Sequence, residues 1–188
     1  MIAVVDYNVG NVKSVLNGCK RIGMDAELTR DVAAIAKADG IILPGVGSFP
    51  VAMRNLKKFN LMEVLNECKN ADIPILGICL GMQILFEKGY EVEECSGFGW
   101  LKGSVDLIPT DAKLPHMGWN NISYGDVYFV HSFMADHNEE TIEYCEYGGV
   151  KIPAVVGHGN VMGCQFHPEK SGKVGEDILK EWVKKWGL

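Results

Sequence analysis

The sequence predicts an α/β fold, a doubly wound and mostly parallel central sheet with helices on both faces and a smaller antiparallel layer. Up to residue 88, short apolar runs alternate with helical patterns, which is typical of parallel strands joined by crossover helices. Between residues 100 and 165 the pattern changes to short alternating runs separated by Gly, Asp and Asn, which indicates hairpins. Because no linker or repeat interrupts the chain, we expect residues 1–188 to form one domain.

Strands and helices follow one another in the first half in the order that a parallel sheet requires. The run Gly40–Leu43 is apolar throughout, as expected of a strand that is covered on both faces. Gly23 can end one helix, and Asp31 can cap the next. The predicted strands are residues 1–6, 25–30, 40–43 and 73–78, and the predicted helices are residues 11–23, a brief helix after Asp31, 49–57, 60–70 and 80–88.

The second half supplies the antiparallel strands and a final amphipathic helix. Since right-handed crossovers bring loops together at the carboxyl ends of parallel strands, we expect the functional site at that edge of the sheet. The predicted strands are residues 103–108, 119–123, 127–131, 141–147, 153–157 and 161–165. The predicted helix is residues 174–186, with Ile178, Leu179, Trp182 and Val183 on its buried side.

The charge and composition argue against several classes of protein. The net charge of −6 is spread along the chain, whereas a nucleic-acid partner needs clustered Lys and Arg. The sequence contains no run of about 18 apolar residues, so it predicts no membrane helix. Residues 1–6 indicate a strand rather than a signal peptide. The six cysteines form no CxxC pair, and the histidines have no metal-ligand spacing with them. We therefore expect reduced thiols in the cytoplasm, no metal and no cofactor.

A candidate nucleophile, Cys79, lies between a predicted buried strand and a predicted helix. The glycines that flank it allow a sharp turn, which lifts the sulfur above the edge of the sheet. At a helix N-terminus, free N–H groups and the helix dipole favour a thiolate. The alternative is that Cys79 is one more buried thiol between two packing glycines. The pattern is the pentapeptide Gly77-Ile78-Cys79-Leu80-Gly81.

A candidate base lies at the end of the last predicted strand. Residues two apart in an extended segment point the same way, so His167 and Glu169 project side by side, and Pro168 favours this backbone. The carboxylate can then fix the imidazole tautomer, which leaves the other ring nitrogen for the nucleophile. Taken alone, the two residues could be a surface ion pair. An elbow nucleophile and an oriented base on two strand ends, however, have the geometry of a triad.

Backbone amides that could stabilise an oxyanion are expected after strand 40–43. Val46 lies between Gly45 and Gly47, so its N–H could act on a tetrahedral oxyanion together with the Leu80 N–H. A plain strand-to-loop turn is the alternative. Gln83 follows the nucleophile by one helical turn and could hold a polar substrate, unless it is a helix-surface residue.

From the first strand to the last helix, the chain resembles the triad-type glutamine amidotransferases. Three motifs carry this resemblance: Gly77-Ile78-Cys79-Leu80-Gly81-Met82-Gln83, Pro44-Gly45-Val46-Gly47 and Phe166-His167-Pro168-Glu169-Lys170-Ser171. Three further motifs are similar to the glutaminase subunits of imidazole glycerol phosphate synthases: Asp6-Tyr7 with Gly10-Asn11-Val12-Lys13-Ser14-Val15, Pro115-His116-Met117-Gly118-Trp119-Asn120 and Tyr128-Phe129-Val130-His131-Ser132. The resemblance implies the class I glutamine amidotransferase fold.

The same resemblance implies a glutaminase with a Cys79–His167–Glu169 triad. Cys79 would attack the carboxamide carbon of L-glutamine and form a γ-glutamyl thioester. His167 would protonate the departing ammonia and then activate water, while Glu169 orients it. The oxyanion-hole amides would be those of Val46 and Leu80, after a flip of the Val46 peptide. Substrate contacts are implied for Gly47, Gln83, Glu91, Ser132 and Phe133.

A partner is implied as well. The glutaminase would form a heterodimer with a (βα)8-barrel cyclase, the lyase of histidine biosynthesis, and ammonia would reach that cyclase through a tunnel. Partner contacts are implied for Asn11, Trp119, Tyr128 and Lys170. The sequence departs from the family at Asn8, where Gly is usual, and at Phe133, where Tyr is usual, so any hydrogen bond of that hydroxyl is absent.

Other functions remain open at the level of sequence. A glutaminase whose barrel partner serves nucleotide-sugar or surface-polysaccharide synthesis would carry the same residues. A non-catalytic scaffold would not require the three triad residues together, and a cysteine-elbow hydrolase or thioesterase would not require residues 44–47 and Gln83. We also expect little activity in the isolated chain, because the partner could gate the glycine-flanked oxyanion loop.

Overall fold

A seven-stranded sheet forms the centre of the fold in the computed structural model, which describes residues 1–188. Thirteen strands are present in the chain. They are β1 (Ile2–Val5), β2 (Ala26–Thr29), β3 (Gly40–Leu43), β4 (Ile75–Ile78), β5 (Phe86–Gly89), β6 (Cys95–Ser96), β7 (Leu101–Leu107), β8 (His116–Ile122), β9 (Gly125–His131), β10 (Phe133–Ala135), β11 (Thr141–Tyr147), β12 (Val150–His158) and β13 (Val161–Cys164).

Six α-helices and one 3₁₀ turn connect these strands. The helices are α1 (Val12–Arg21), α2 (Val32–Ala36), α3 (Phe49–Lys58), α4 (Leu61–Asn70), α5 (Leu80–Gln83) and α6 (Gly172–Trp186), and the 3₁₀ turn spans Pro168–Lys170. Asp31 caps α2 as the sequence predicts, because its carboxylate accepts a hydrogen bond from the Ala34 N–H at 2.8 Å. None of the helices combines the length and the apolar character that crossing a lipid bilayer requires.

The order of strands in the central sheet is β11-β12-β13-β4-β3-β1-β2. All neighbours from β13 to β2 run parallel, and β12 and β11 add an antiparallel edge, so the predicted mostly parallel sheet is confirmed. The sequence assigns β13 to the antiparallel strands, but β13 lies inside this sheet and pairs in parallel with β4. Leu43 pairs with Gly77, and Cys164 pairs with Ile78, so β3, β4 and β13 end level with one another. The loops that follow these three strands therefore meet at one edge of the sheet.

Apolar side chains cover both faces of this sheet. In β3, Ile41 and Leu43 belong to one buried cluster and Ile42 to the other, so successive residues meet different layers of the fold. Helices α2, α3 and α4 contribute to the first cluster, and α1 and α6 contribute to the second. This arrangement explains why a continuous apolar run forms a strand here, since each fully buried aliphatic side chain contributes about 1.5–3 kcal/mol.

Two smaller sheets complete the fold, and their strands pair antiparallel as predicted except for β5 and β7, which run parallel. One has the order β10-β7-β5-β6, and the other is the hairpin of β8 and β9. The hairpin is tied to the chain after β13, because the Tyr128 C=O accepts a hydrogen bond from the His167 N–H at 2.9 Å. The Tyr128 N–H donates in turn to Ser171 Oγ at 3.0 Å. The hairpin therefore contacts the same edge of the central sheet at which β3, β4 and β13 end.

The predicted helix at residues 80–88 is wrong in its second half. Helix α5 ends at Gln83, and Phe86–Gly89 forms β5, which pairs with β7. Residues 84–86 are all buried, so their apolar run fits a strand as well as a helix, and periodicity does not decide between the two. The short strands β6 and β10 were not predicted, because two or three residues carry too little pattern.

Candidate active site

Cys79 stands at a sharp turn between β4 and α5. Its φ of 54° and ψ of −109° are unusual for a residue that has a side chain. Neighbouring backbone groups hold this conformation: the Cys79 N–H donates to Cys164 O at 2.7 Å, and the Cys79 C=O accepts from the Met82 N–H at 3.0 Å. Strain at a strand-to-helix turn is typical of a nucleophile elbow, which is the context that the sequence predicts for Cys79.

Two glycines make this turn possible. A Cβ on Gly81 would lie 1.8 Å from Leu43 O, and a Cβ on Gly77 would lie 2.5 Å from Gly81 O. In both cases the obstacle is backbone, which cannot move aside as a flexible side chain can. The glycines on either side of Cys79 therefore allow α5 to begin directly against β3.

His167 and Glu169 form a buried pair beside the sulfur of Cys79. The Nδ1 atom of His167 lies 2.9 Å from Glu169 Oε1, and the two residues are 1% and 6% exposed. Since a carboxylate can only accept, Nδ1 carries a proton, and Nε2 is left for the thiol. Nε2 is buried and has no hydrogen-bond partner. The pair is therefore not the surface ion pair of the alternative interpretation.

The environment of His167 favours its protonated form. Burial by itself lowers the pKa of His167, but the neighbouring Cys79 and Glu169 outweigh burial and raise that pKa from 6.5 to about 9. At neutral pH the ring is then an imidazolium between a carboxylate and a sulfur atom. This positive charge favours a thiolate, and the ring can also deliver its Nε2 proton to a leaving group.

Residues at the start and end of α1 hold Glu169. Asn11 donates from Nδ2 to Glu169 Oε1 at 2.6 Å, and this is the oxygen that also faces His167. Arg21 donates from Nη2 to the main-chain O of Glu169 at 2.9 Å. Asn11, which the resemblance assigns to the partner interface, thus also contacts the triad. Asn8 has a φ of 61°, a conformation that suits the family's usual Gly and that Asn tolerates better than most residues.

A cavity of about 310 Å³ opens at the sulfur, at the edge where the sequence predicts the site. Its size is suitable for a molecule as small as an amino acid. Besides Cys79, it is lined by every residue that the resemblance implies for the oxyanion hole and the substrate: Val46, Leu80, Gly47, Gln83, Glu91, Ser132 and Phe133. A larger cavity of about 940 Å³ lies at the opposite edge of the sheet, near Met1, Met24 and Trp186, and contains no member of the triad.

Hydrogen bonds hold two polar side chains of this cavity in place. Gln83 is buried and donates from Nε2 to Phe133 O and to Gln165 Oε1, both at 3.0 Å. Glu91 Oε2 accepts from the Phe49 N–H at 2.8 Å. Gln83 is therefore not a helix-surface residue. Phe133 takes part through its carbonyl, which the missing hydroxyl of the family's Tyr does not affect.

The other three residues implied for the partner lie on and beside the β8–β9 hairpin. Trp119 and Tyr128 pair across the hairpin, with ring centroids 6.0 Å apart and planes at 73°. Lys170 Nζ lies 5.9 Å from the centroid of the Tyr128 ring. Trp119 is 60% exposed, and the neighbouring Met117 is also exposed. We call Met117, Trp119, Tyr128 and Lys170 the hairpin patch. The exposed Met117 and Trp119 beside the partly exposed Tyr128 and the charged Lys170 indicate a binding surface.

One buried residue beside the sulfur was not predicted. The Nε2 atom of Gln165 lies 3.8 Å from Cys79 Sγ. The sequence carries a signal for this contact, since Gln165 precedes His167 by two residues on an extended segment and therefore faces the same way. That spacing identified Glu169 from His167 but was not extended in the other direction.

Comparisons with known proteins match nearly the whole chain. Residues 3–186 match the family model described as glutamine amidotransferase class-I. The chain is 53% identical over 197 residues to the imidazole glycerol phosphate synthase subunit HisH of Lactococcus lactis, and this alignment covers 97% of the chain and 98% of that protein. It is 43% identical over 202 residues to the same subunit of Bacillus cereus, and this alignment covers 99% of the chain and 97% of that protein. A crystal structure described as a glutamine amidotransferase has a TM-score of 0.80 at 16% identity, covers 100% of both chains and shows the shared fold.

The elbow geometry predicts that Gly81→Ala is strongly destabilising. Its new Cβ would overlap the backbone oxygen of Leu43, so we expect the free energy of unfolding to fall by about 1–3 kcal/mol or more in urea titrations. Gly159→Ala is the matched control, because Gly159 also has a positive φ but nothing lies within 4 Å of its missing Cβ. Its loss should be about 1 kcal/mol. Equal losses in the two variants would contradict the overlap.

The His167–Glu169 pair predicts a pH dependence of both titration and stability. In Glu169→Gln, we expect an NMR titration of the His167 ring to show a pKa below the wild-type value of about 9, because the carboxylate charge is lost. The raised pKa stabilises the fold fully below about pH 6.5, and this stabilisation is lost as the pH rises through about 9. Urea titrations from pH 6 to 10 should show that loss in the wild type and a smaller one in the variant. Identical titration curves would show that the carboxylate does not act on the ring.

Proposed function

The chain belongs to the class-I glutamine amidotransferase family, and on that premise we propose that it is the glutaminase subunit of an imidazole glycerol phosphate synthase in histidine biosynthesis. One observation carries the chemistry. A buried His167 lies between Glu169 and the sulfur of an elbow cysteine, at a cavity of amino-acid size. A scaffold without turnover has no use for this arrangement, because burying charges costs free energy.

Thioester formation uses the sulfur and the imidazolium. The Cys79 thiolate attacks the carboxamide carbon of L-glutamine, so that a C–S bond forms and the carbonyl electron pair moves to the oxygen. When this tetrahedral intermediate collapses, the C–N bond breaks, and the nitrogen takes the Nε2 proton of His167 and leaves as ammonia. A γ-glutamyl thioester and a neutral imidazole remain.

Hydrolysis of the thioester restores the site. Water gives one proton to Nε2 of the neutral His167 while its oxygen forms a bond to the thioester carbon. The C–S bond then breaks, and Cys79 leaves as a thiolate opposite the regenerated imidazolium. The product leaves as glutamate after its γ-carboxyl group ionises. Glu169 keeps the ring in one orientation through both steps and stabilises its positive charge.

Both tetrahedral intermediates carry a negative oxygen that needs hydrogen-bond donors. Leu80 is the first residue of α5, so its N–H has no partner within the helix. Val46 lies across the same cavity, and the adjacent Gly45 approaches Leu80 so closely that a Cβ there would lie 3.2 Å from Leu80 Cβ. These two amides form the oxyanion hole in this proposal. The amino and carboxylate groups of glutamine contact Gly47, Gln83, Glu91, Ser132 and Phe133.

The ammonia passes to a (βα)8-barrel cyclase that binds at the hairpin patch and at Asn11. Ammonia in neutral water is mostly protonated, and ammonium is not a nucleophile, so transfer inside a complex preserves its reactivity. The hairpin patch lies next to the triad, because the Tyr128 C=O accepts from the His167 N–H. The names of the two relatives favour the histidine pathway over nucleotide-sugar or surface-polysaccharide synthesis.

Glutamate release from glutamine tests this function. The purified chain alone should release little glutamate. With the barrel cyclase of the same genome and its nucleotide ligand, the rate of release should rise at least about tenfold. Cys79→Ala should abolish release in both conditions. Release that persists in Cys79→Ala would refute the triad. Absence of activation by that cyclase would refute the assigned partner, and turnover of thioesters but not of glutamine would identify a hydrolase instead.

The contact between Asn11 and Glu169 predicts a defect that does not depend on the partner. In Asn11→Ala the carboxylate loses a charge-assisted hydrogen bond, so we expect the rate of Cys79 alkylation by iodoacetamide to fall about tenfold in the isolated chain. Asn8→Ala is the matched control, because Asn8 has a similar φ in the same loop, is exposed and makes no hydrogen bond to Glu169. A defect that is seen only with the cyclase would assign Asn11 to the interface alone.

A further inference from the structure

We propose that Gln165 is a further catalytic residue, whose side-chain amide donates a hydrogen bond to the sulfur of Cys79. The inference rests on the proposed function, because it assumes that the sulfur is the nucleophile. Gln165 is fully buried, and its Nε2 atom lies 3.8 Å from Cys79 Sγ, within the range of hydrogen bonds to sulfur. Its backbone is fixed as well, since the Gln165 N–H donates to Ala154 O on β12 at 2.9 Å.

The neighbours of Gln165 determine which end of its amide faces the sulfur. The Phe133 carbonyl can only accept, so Gln83 has to present its NH₂ group to that carbonyl, at 3.0 Å. The second N–H of the same group then points at Gln165, also at 3.0 Å, and requires an oxygen there. Gln165 therefore turns Oε1 toward Gln83, which leaves its own NH₂ group for the sulfur.

The Phe133 carbonyl also accepts a hydrogen bond from His131, which is itself bonded to a second buried histidine, His116. His131 Nδ1 lies 2.8 Å from Phe133 O and has to donate, so His131 Nε2 accepts from His116 Nδ1 at 3.0 Å. His116 Nε2 then accepts from Asn120 Nδ2 at 3.2 Å. Burial lowers the pKa of both histidines to about 4, so both rings are neutral at neutral pH. The orientation of Gln165 thus follows from an unbroken series of hydrogen bonds that ends at a backbone carbonyl.

A donor at this position assists both halves of the reaction. Hydrogen bonds to charged atoms are stronger than those to neutral atoms, so the Gln165 N–H favours the thiolate over the thiol. The sulfur becomes a thiolate again when the thioester is hydrolysed, and the same N–H favours its departure. His167 and Gln165 act on the sulfur from positions two residues apart on one extended segment. The dipole of the Gln165 amide thereby supplements the charge of the His167 imidazolium.

Alkylation of Cys79 in the isolated chain tests this proposal without glutamine or partner. Gln165→Met keeps the length of the side chain and removes its donor, whereas His167 and Tyr7, two titratable groups whose pKa values are raised by Cys79, are unchanged. We expect iodoacetamide to modify Cys79 about tenfold more slowly at neutral pH, as measured by peptide mass spectrometry that resolves the six cysteines. The pH of half-maximal rate should move upward, while the maximal rate at high pH stays unchanged.

Asn160→Ala is the matched control for loss of a buried amide next to the same strand, β13. Asn160 precedes β13 at its other end, and its Nδ2 donates to Lys69 O and Ile73 O, away from the sulfur. This variant should unfold at a lower temperature but keep the wild-type alkylation profile. The proposal is refuted if Gln165→Met keeps that profile too, or if both variants slow alkylation equally at every pH.

A third variant separates the donor from the packing of the side chain. Gln165→Glu keeps an oxygen for the Gln83 N–H but turns a carboxylate oxygen, which cannot donate, toward the sulfur. We expect it to slow alkylation at neutral pH more than Gln165→Met does, and a rate above that of Gln165→Met would refute the proposal. Glutamate release with the cyclase is measured in parallel. If the wild type releases none while the alkylation profiles differ as expected, the proposed function fails and the role of Gln165 at the sulfur stands.

Discussion

The position of the sulfur depends on one contact between backbones, the approach of Gly81 to the carbonyl oxygen of Leu43. A Cβ on Gly81 would lie 1.8 Å from that oxygen, so no other residue type fits there without displacing β3 or α5. The contact brings the start of α5 against β3, and Cys79 has to adopt a positive φ to connect β4 to it. Because the elbow is built on the central sheet, the sulfur is positioned by regular secondary structure on either side rather than by a long loop.

The charges at the site lie in a buried environment. A buried ion pair can cost more in desolvation than its attraction returns. Here additional hydrogen bonds offset part of that cost, from Asn11 to the Glu169 carboxylate and from Arg21 to the Glu169 main chain. The pKa of His167 still rises to about 9 despite burial, which means that the sulfur and the carboxylate together dominate the ring's environment. Such an imidazolium is consistent with the proposed role of His167 as an acid beside a thiolate.

The features that the sequence predicts correctly are those that depend on residues close together in the chain. The apolar run of β3, the cap at Asp31 and the elbow around Cys79 each depend on neighbours in the chain, and all three appear in the structure. Long-range contacts decided the rest. Phe86–Gly89 is a strand because β7 offers it an edge, and Gln165 reaches the sulfur because β13 lies beside β4. The Asn11–Glu169 contact joins residues 158 positions apart, so no local pattern contains it.

The β8–β9 hairpin links the exposed patch to the chemistry by two separate routes. In the first, the Tyr128 main chain bonds to His167 and Ser171, the residues on either side of the 3₁₀ turn that carries Glu169. In the second, hydrogen bonds run from Asn120 through His116 and His131 to the Phe133 carbonyl. That carbonyl sets the orientation of the Gln83 amide, and Gln83 sets that of Gln165. A protein bound at Trp119 and Tyr128 therefore contacts the element that orients both the base and the amide at the sulfur. If the proposed function holds, partner binding and activation of Cys79 involve the same hairpin, so their coupling requires no separate regulatory site.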